Sequence, residues 1–344
     1  MPDGNYAFMS AYLKGAEAKT VTSDHISRLP KTASPRSVLE IIKDTDIGRF
    51  LEEMPIETFD DLDRYLWQYF SQCLEELERL KLMPADMGKI LNTYRVKYDV
   101  MNIKAVLLGI SAGKKANLIL AGVIYSRGLL DELSRAEEVD DVIKLLIECD
   151  LGAYGSILGE YVAEEAKSKF LTEAKLDREY YQGLFNLSKG IQDGPLLAKA
   201  ISVIMDMTNL QLVTRAIIEG IGPKAGELVI SGGYMISETV AQDLLSRKLT
   251  DIPRMLGGTQ YQDIAEEIVA SYSRTQSITA VEEVIDKHRF QLLKGILSPR
   301  VMTPLMIVWY LFIKEVEIKN LRLVFKAAFD NIPIKEIMEY MVFS

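Results

Sequence analysis

The sequence predicts an all-α fold made of three homologous helical units, on the basis of three observations. Apolar residues recur at steps of three and four along long stretches, as they do on one face of an amphipathic helix. No run of alternating apolar and polar residues bounded by hairpin turns suggests a sheet. A short motif with a carboxylate and an asparagine recurs three times at nearly constant intervals, which is typical of internal repeats.

Two stretches show the helical period most clearly. Between Asp60 and Met83 the apolar face consists of Leu62, Leu66, Tyr69, Cys73, Leu77 and Leu80. Pro84 follows at once and predicts the end of this helix. The face of a second long helix, from Leu305 onward, consists of Trp309, Phe312, Val316, Asn320 and Val324.

The repeated motif has an acidic residue, two variable residues, an asparagine and an aliphatic residue. Its three copies are Asp99 with Asn102, Asp206 with Asn209, and Glu317 with Asn320. A valine follows each asparagine four positions later, at Val106, Val213 and Val324. Because the acid and the asparagine are three residues apart, both lie on one face of a helix.

An asparagine in the middle of a helix is unfavourable, because its amide competes with the backbone for hydrogen bonds. Its recurrence at this position therefore indicates a specific role. One interpretation is that each pair hydrogen-bonds a neighbouring helix or fixes the packing between units. The other is that the pairs line a binding surface. The sequence leaves both open.

A second pattern, an aliphatic residue followed by Ser-Arg, precedes each motif at Arg28, Arg135 and Arg247. The intervals from the arginine to the asparagine are 74, 74 and 73 positions. These arginines are expected at helix ends, where they bind carbonyl groups or a carboxylate of the same unit, or else contact a ligand. The repeats predict three units, at residues 1–125, 126–235 and 236–344.

Composition restricts the class of protein. The chain has 344 residues, of which 26% are charged, as in ordinary globular proteins. Cys73 and Cys149 match no metal or redox spacing. The start does not read as a signal peptide, and we find no apolar run of about 20 residues, so no membrane span is expected. The net charge of −9 disfavours nucleic acid as a partner.

Signals of catalysis are weak. His25 and His288 have neither metal-ligand spacing nor a shared motif. The segment from Gly109 to Lys115 is one residue short of a phosphate-binding loop and lacks the Ser or Thr after its lysine, so it is expected to be a helix end. No catalytic, cofactor or metal site is predicted, and the chain is not expected to be an enzyme.

The three motif copies resemble the signatures of a known family. The most specific is Lys314-Glu-Val-Glu-Ile-Lys-Asn-Leu-Arg-Leu-Val-Phe-Lys326, accompanied by Tyr98-Asp-Val-Met-Asn-Ile-Lys104 and Asp206-Met-Thr-Asn-Leu210. They are similar to the C subunit of archaeal and bacterial A/V-type ATP synthases, a family that includes the d subunit of the eukaryotic vacuolar ATPase. The resemblance implies an all-helical funnel with pseudo-threefold symmetry.

The resemblance also implies a function. Such a subunit is a non-catalytic adaptor that connects the central stalk to the membrane proteolipid ring. It transmits torque between ATP turnover and the translocation of protons or sodium ions. The expected location is peripheral, on the cytoplasmic face of the cell membrane, with no cofactor and no direct small-molecule substrate. The alternative is a helical-repeat scaffold that binds proteins outside a rotary ATPase.

Overall fold

The computed structural model describes residues 4–164 and 168–343, and within these ranges the chain forms α-helices and short 3-10 helices but no strand. The first nine α-helices are α1 Gly4–Glu17, α2 Ser23–Ser27, α3 Pro35–Ile42, α4 Asp46–Glu52, α5 Phe59–Arg79, α6 Ala85–Ala112, α7 Val123–Ser126, α8 Leu130–Ser134 and α9 Val139–Glu148. They are followed by α10 Gly152–Ala163, α11 Lys169–Ser188, α12 Gly194–Ile218, α13 Glu238–Leu245, α14 Ile252–Met255, α15 Gln262–Thr275, α16 Ile278–Leu297, α17 Leu305–Phe329 and α18 Ile334–Ile337. The 3-10 helices are Gly222–Leu228, Leu249–Asp251 and Met338–Tyr340. The all-α prediction is therefore confirmed for the described residues.

One order of helices occurs three times along the chain. A short helix that ends at the Ser-Arg pattern precedes two adjacent helices, and two long helices follow, of which the second carries the acid and the asparagine. The three sets are α2 to α6, α8 to α12, and α13 to α17. This recurrence agrees with three homologous units, and the boundaries 1–125, 126–235 and 236–344 stay a prediction.

The residues group into two compact units. Unit 1 comprises residues 1–109, 113–135 and 297–344, and unit 2 comprises residues 110–112 and 136–296. The third set of helices is shared, because α13 to α15 and nearly all of α16 belong to unit 2 whereas α17 belongs to unit 1.

The core of unit 1 is formed around the long helices α5, α6 and α17. Trp67 and Phe70 on α5 pack against Tyr98 on α6, with ring centroids 5.1 to 6.0 Å apart. Helix α17 packs on α5, α1 and α3. Thr58 fixes the start of α5, since its side chain accepts the N–H of Asp61 and the Asp61 carboxylate accepts the N–H of Thr58 in return.

The core of unit 2 is formed around α12. Met207, Leu210 and Val213 on this helix are fully buried among side chains of α13, α15 and α16. Helix α12 is long and apolar enough to cross a membrane by length and composition, but 67% of its most apolar window is buried inside the protein. Such burial is typical of the central helix of a globular domain.

Candidate functional site

The acid and the asparagine of the first motif hold a segment that follows α6. The side-chain amide of Asn102 donates to the carbonyl of Ile119 at 2.9 Å, and the N–H of Ile119 donates to the Asn102 side-chain oxygen at 2.7 Å. Both backbone groups of Ile119 are therefore bonded to one side chain. We call each such pair of acid and asparagine, with the backbone it holds, an acid–Asn clamp.

The carboxylate of the first clamp holds the start of a helix. The N–H of Val123 donates to Oδ2 of Asp99 at 2.7 Å, and the N–H of Ile124 donates to Oδ1 at 2.9 Å. These two residues begin α7, so Asp99 bonds N–H groups that lack partners within the helix. A carboxylate is also favoured at this end by the helix dipole.

The second clamp, on α12, has the same geometry. Asn209 bonds both backbone groups of Ile230, with distances of 2.9 and 2.8 Å. Asp206 accepts the N–H groups of Met235 and Ile236 at 2.8 and 2.9 Å. The hydroxyl of Tyr261 donates to Oδ2 of Asp206 at 2.7 Å, a contact that the sequence does not predict.

A glycine lies against the carboxylate in each of these two clamps. Gly122 has φ of +110°, and a Cβ on it would lie 2.4 Å from Oδ1 of Asp99. A Cβ on Gly233 would lie 2.3 Å from Oδ1 of Asp206. Only a glycine lets the backbone approach the acid so closely. From the sequence alone, Gly233 indicates no more than a turn, and Gly122 does not stand out.

The third clamp, on α17, holds two distant parts of the chain. The side chain of Asn320 bonds the N–H and the carbonyl of Val342, near the end of the chain. The carboxylate of Glu317 accepts the N–H of Val21 at 2.7 Å, close to the start of α2. In this clamp the acid and the asparagine therefore bind opposite ends of the sequence.

A buried ion pair distinguishes the third clamp from the others. The ammonium of Lys314 lies 2.9 Å from Oε2 of Glu317 and donates to the Tyr69 hydroxyl at 2.9 Å. The side chains of Lys314 and Glu317 are only 1% and 2% exposed. The residues three positions before the other two acids are Val96 and Val203, so those clamps lack this cation. The longer glutamate reaches both its lysine and the N–H of Val21.

The clamp acids are costly to ionise. Burial raises the pKa of Asp99 to about 6, although its two N–H donors favour the charged form. Burial also raises the pKa of Asp206, against the opposing hydrogen bond from Tyr261. The pKa of Glu317 is raised by burial as well, and the charge of Lys314 opposes that rise.

All six acid and asparagine side chains of the clamps are buried, with exposures of 4% or less. They bond the backbone of irregular segments and helix starts in the same chain. Val106, Val213 and Val324, four positions after the asparagines, lie in the core.

The three arginines of the second pattern lie exposed at helix ends. Nε of Arg28 donates to the carbonyl of Asp24 at 3.3 Å, and Arg247 pairs with the carboxylate of Asp243 at 3.2 Å. The backbone N–H of Arg135 donates to the carbonyl of Glu132 at 3.0 Å. The partners all belong to the helix that the arginine follows.

The two histidines and the glycine segment that were considered as catalytic signals have structural roles. His25 lies 3.1 Å from the Asp44 carboxylate, and His288 lies 2.7 Å from that of Glu267. Helix α6 ends at Ala112, and Gly113 has φ of +61°, as at a helix stop. Across residues 4–164 and 168–343, no group of three His, Cys, Asp or Glu side chains is arranged to hold a metal ion.

Comparison with known proteins matches nearly the whole chain to one family. The family described as ATP synthase (C/AC39) subunit matches residues 9–340. The C subunit of the A-type ATP synthase of Methanocaldococcus jannaschii is 24% identical over 98% of this chain and 86% of its own length. The protein of the same name from Methanosphaera stadtmanae is 23% identical over 98% of this chain and 88% of its own length. That from Pyrococcus abyssi is 22% identical over 97% of this chain and 89% of its own length.

These matches confirm the resemblance that the three motif copies indicated. The family match spans all three sets of helices and the acid and asparagine of every clamp. The chain therefore belongs to the ATP synthase (C/AC39) subunit family and is a non-catalytic subunit of a rotary ATPase.

Proposed function

We propose that this chain is the adaptor that joins the central stalk of a rotary A-type ATPase to its membrane proteolipid ring. It rotates with the stalk and transmits torque between ATP turnover and the translocation of protons or sodium ions. It lies peripherally, on the cytoplasmic face of the membrane. The family match and the shared name of the curated relatives support the parent complex.

The observation that supports an adaptor most directly is that two of the three clamps connect different predicted repeats. Asp99 holds the backbone at Val123, where the first predicted unit ends. Asp206 holds Ile236, where the third unit begins. Glu317, in the third unit, holds Val21 in the first. The first clamp therefore lies within the first predicted unit, whereas the second joins the second unit to the third and the third joins the third unit to the first.

The bond from the third unit back to the first supports a closed funnel with pseudo-threefold symmetry. A closed arrangement suits a part that transmits torque, because load on one unit passes to its neighbours on both sides. The contacts that carry such a load are spread over broad interfaces, so no reactive group is required. The clamps supply rigidity, since each fixes irregular backbone to the middle of a long helix.

A binding experiment tests the proposal. The purified chain is mixed with the matching central-stalk subunits and the proteolipid ring, with and without mild detergent, and captured through the stalk. We expect the chain to be required for capture of the ring. If it binds neither component, the adaptor function is wrong and a helical scaffold outside the rotary ATPase becomes the better interpretation.

A pair of variants shows whether the clamps matter for this function. Asn102→Ala opens the first clamp, whereas Asn186→Ala alters an exposed asparagine on α11. Among samples whose circular dichroism shows a folded chain, we expect Asn102→Ala to recover less ring and Asn186→Ala to match the unaltered chain. Equal recovery by both would show that the first clamp is not needed for bridging.

A further inference from the structure

A cleft in unit 1 has the features of a ligand site and lies outside the clamps. It has a volume of about 550 Å³ and opens between α1, α4, α5 and α17. Small-molecule sites in proteins usually measure roughly 300 to 1,000 Å³. All its lining residues belong to unit 1, so its shape depends on this unit alone.

Aromatic rings form much of the wall of the cleft. They belong to Tyr12, Phe50, Tyr69 and Tyr310. Two of them already interact with an ammonium group: Nζ of Lys314 lies 5.1 Å from the Tyr69 ring centre and 5.9 Å from that of Tyr310. Aromatic faces attract organic cations through the ring quadrupole.

The charged groups at the mouth of the cleft favour a cation. Asp46 and Glu76 both line it. Glu76 has no ion-pair partner in the part of the chain that the structure describes. Among the described residues, the ion-pair partner of Asp46 is Lys19, at 3.7 Å, and the Lys19 side chain is 55% exposed. This loose pair exchanges readily with solvent, so an incoming cation can replace the lysine.

The burial of the Cys73 thiol in the cleft disfavours a covalent role for it. Burial raises the pKa of Cys73 to about 11, so this thiol stays protonated at neutral pH. The acids also act on the Tyr12 hydroxyl, since burial and then the charges of Glu76 and Asp46 raise the pKa of Tyr12. The surroundings are therefore negative and aromatic, without a reactive nucleophile.

We infer that the cleft binds a small organic cation of the alkylammonium class. The positive charge lies between Asp46 and Glu76, and the alkyl part packs on the rings of Tyr12 and Phe50. Lys19 occupies the site loosely when no ligand is present. Binding in this cleft does not depend on the proposed adaptor function.

Isothermal titration of the full chain with spermidine at low ionic strength tests the inference. An uncharged diol of similar chain length controls for apolar contact, and magnesium chloride at equal ionic strength controls for unspecific screening. We expect saturable binding of spermidine only. Absence of binding, or equal binding of the diol, would overturn the inference.

Matched variants locate the site. Glu76→Gln removes a carboxylate from the cleft, whereas Glu75→Gln removes its neighbour on α5, which pairs with Arg79 instead. We expect Glu76→Gln to weaken spermidine binding on the order of fivefold and Glu75→Gln to leave it nearly unchanged. Equal effects of the two variants would place the ligand elsewhere.

Two further residues test the chemistry of recognition. Tyr12→Phe keeps the ring and is expected to retain binding, whereas Tyr12→Leu removes the ring and is expected to weaken it about threefold. Lys19→Gln removes the ammonium that competes with the ligand for Asp46, so this variant is expected to bind spermidine more tightly. Weaker binding to Lys19→Gln, or equal binding to both Tyr12 variants, would contradict the proposed contacts. The melting temperature of each variant verifies that it is folded.

Discussion

The carboxylate of Glu317 accepts the backbone N–H of Val21 at 2.7 Å, across 296 positions of the sequence. The corresponding bonds of Asp99 and Asp206 span only 24 and 29 positions to Val123 and Met235. The third clamp is therefore the one that secures a distant end of the chain. Its stability depends on how well the buried charge of Glu317 is neutralised.

Replacing Lys314 by methionine is expected to lower the free energy of unfolding by about 3 to 5 kcal/mol. The substitution leaves Glu317 buried without its cation, and an unpaired buried charge is costly. Urea unfolding followed by circular dichroism measures the change. A double variant with Glu317→Gln as well is expected to recover part of the loss, because the buried charge is then absent.

The matched control for this prediction is Lys326→Met on the same helix. Lys326 pairs with Asp330 at 2.9 Å, but both side chains are about half exposed. Exposed pairs contribute little, so a change of at most about 1 kcal/mol is expected. If Lys314→Met is as mild as Lys326→Met, the buried pair does not stabilise the third clamp.

Asn209→Ala is expected to lower the free energy of unfolding by about 3 kcal/mol. The variant leaves the N–H and the carbonyl of Ile230 buried without a partner, and each such group costs about 1 to 3 kcal/mol. Hydrogen exchange provides a local measurement, since the amide of Ile230 should exchange faster. Unchanged exchange at Ile230 would show that another group holds this segment.

Gly122→Ala is expected to lower the free energy of unfolding by about 2 to 4 kcal/mol, because the new Cβ meets the Asp99 carboxylate and the backbone has positive φ. Gly88→Ala on α6 is the control, with no atom within 4 Å of the added Cβ, and it is expected to stabilise the chain by up to about 1 kcal/mol. Thermal unfolding of the two variants compares them. Similar melting temperatures would mean that Gly122 is not required by the clamp.

The pH dependence of stability should carry a contribution from Asp99. Its pKa rises from 3.8 in the unfolded chain to about 6 in the folded protein, so the folded state holds the proton more tightly. The resulting stabilisation is fully present below about pH 4 and is lost as the pH rises through about 6. Over this window it amounts to about 3 kcal/mol.

Urea unfolding between pH 4 and pH 7 measures this contribution by comparison with Asp99→Asn. The variant lacks the titrating group, so its stability should fall less steeply over this range. Asp44→Asn is a suitable control, because Asp44 is an exposed acid that pairs with His25. Parallel pH profiles for the unaltered chain and Asp99→Asn would show that Asp99 does not titrate in this window.

The periodicity of the sequence was sufficient to predict two of the long helices, α5 and α17. The face from Leu62 to Leu77 lies on α5. The helix ends at Arg79, before the predicted stop at Pro84, so Leu80 was wrongly placed on this face and follows the helix in an extended conformation. The face that begins at Leu305 lies on α17. The near-constant interval between arginine and asparagine predicted three repeated units, and the order of helices recurs three times in the structure. The helices and the repeats could be predicted because both depend on the spacing between residues, which can be read from one sequence.

The partners of the clamps could not be predicted in the same way. Asn102 and Asn320 bond backbone 17 and 22 positions away, in irregular segments whose path depends on tertiary packing. The partner is a backbone group, which every residue type supplies, so the sequence does not indicate which residue is bonded. Gly122 and Gly233 are visible in the sequence, 23 and 27 positions after Asp99 and Asp206, but because these offsets differ they give no fixed spacing that locates the segments. The tie from Glu317 to Val21 has no local signal.

Ion pumping by the reconstituted complex tests the adaptor function most directly. The rotary ATPase is assembled in vesicles with and without this chain, and ATP hydrolysis and ion uptake are measured together. We predict that without the chain hydrolysis continues while ATP-driven uptake is lost, and that adding the chain restores uptake. Undiminished uptake in its absence would contradict a role in coupling the stalk to the ring.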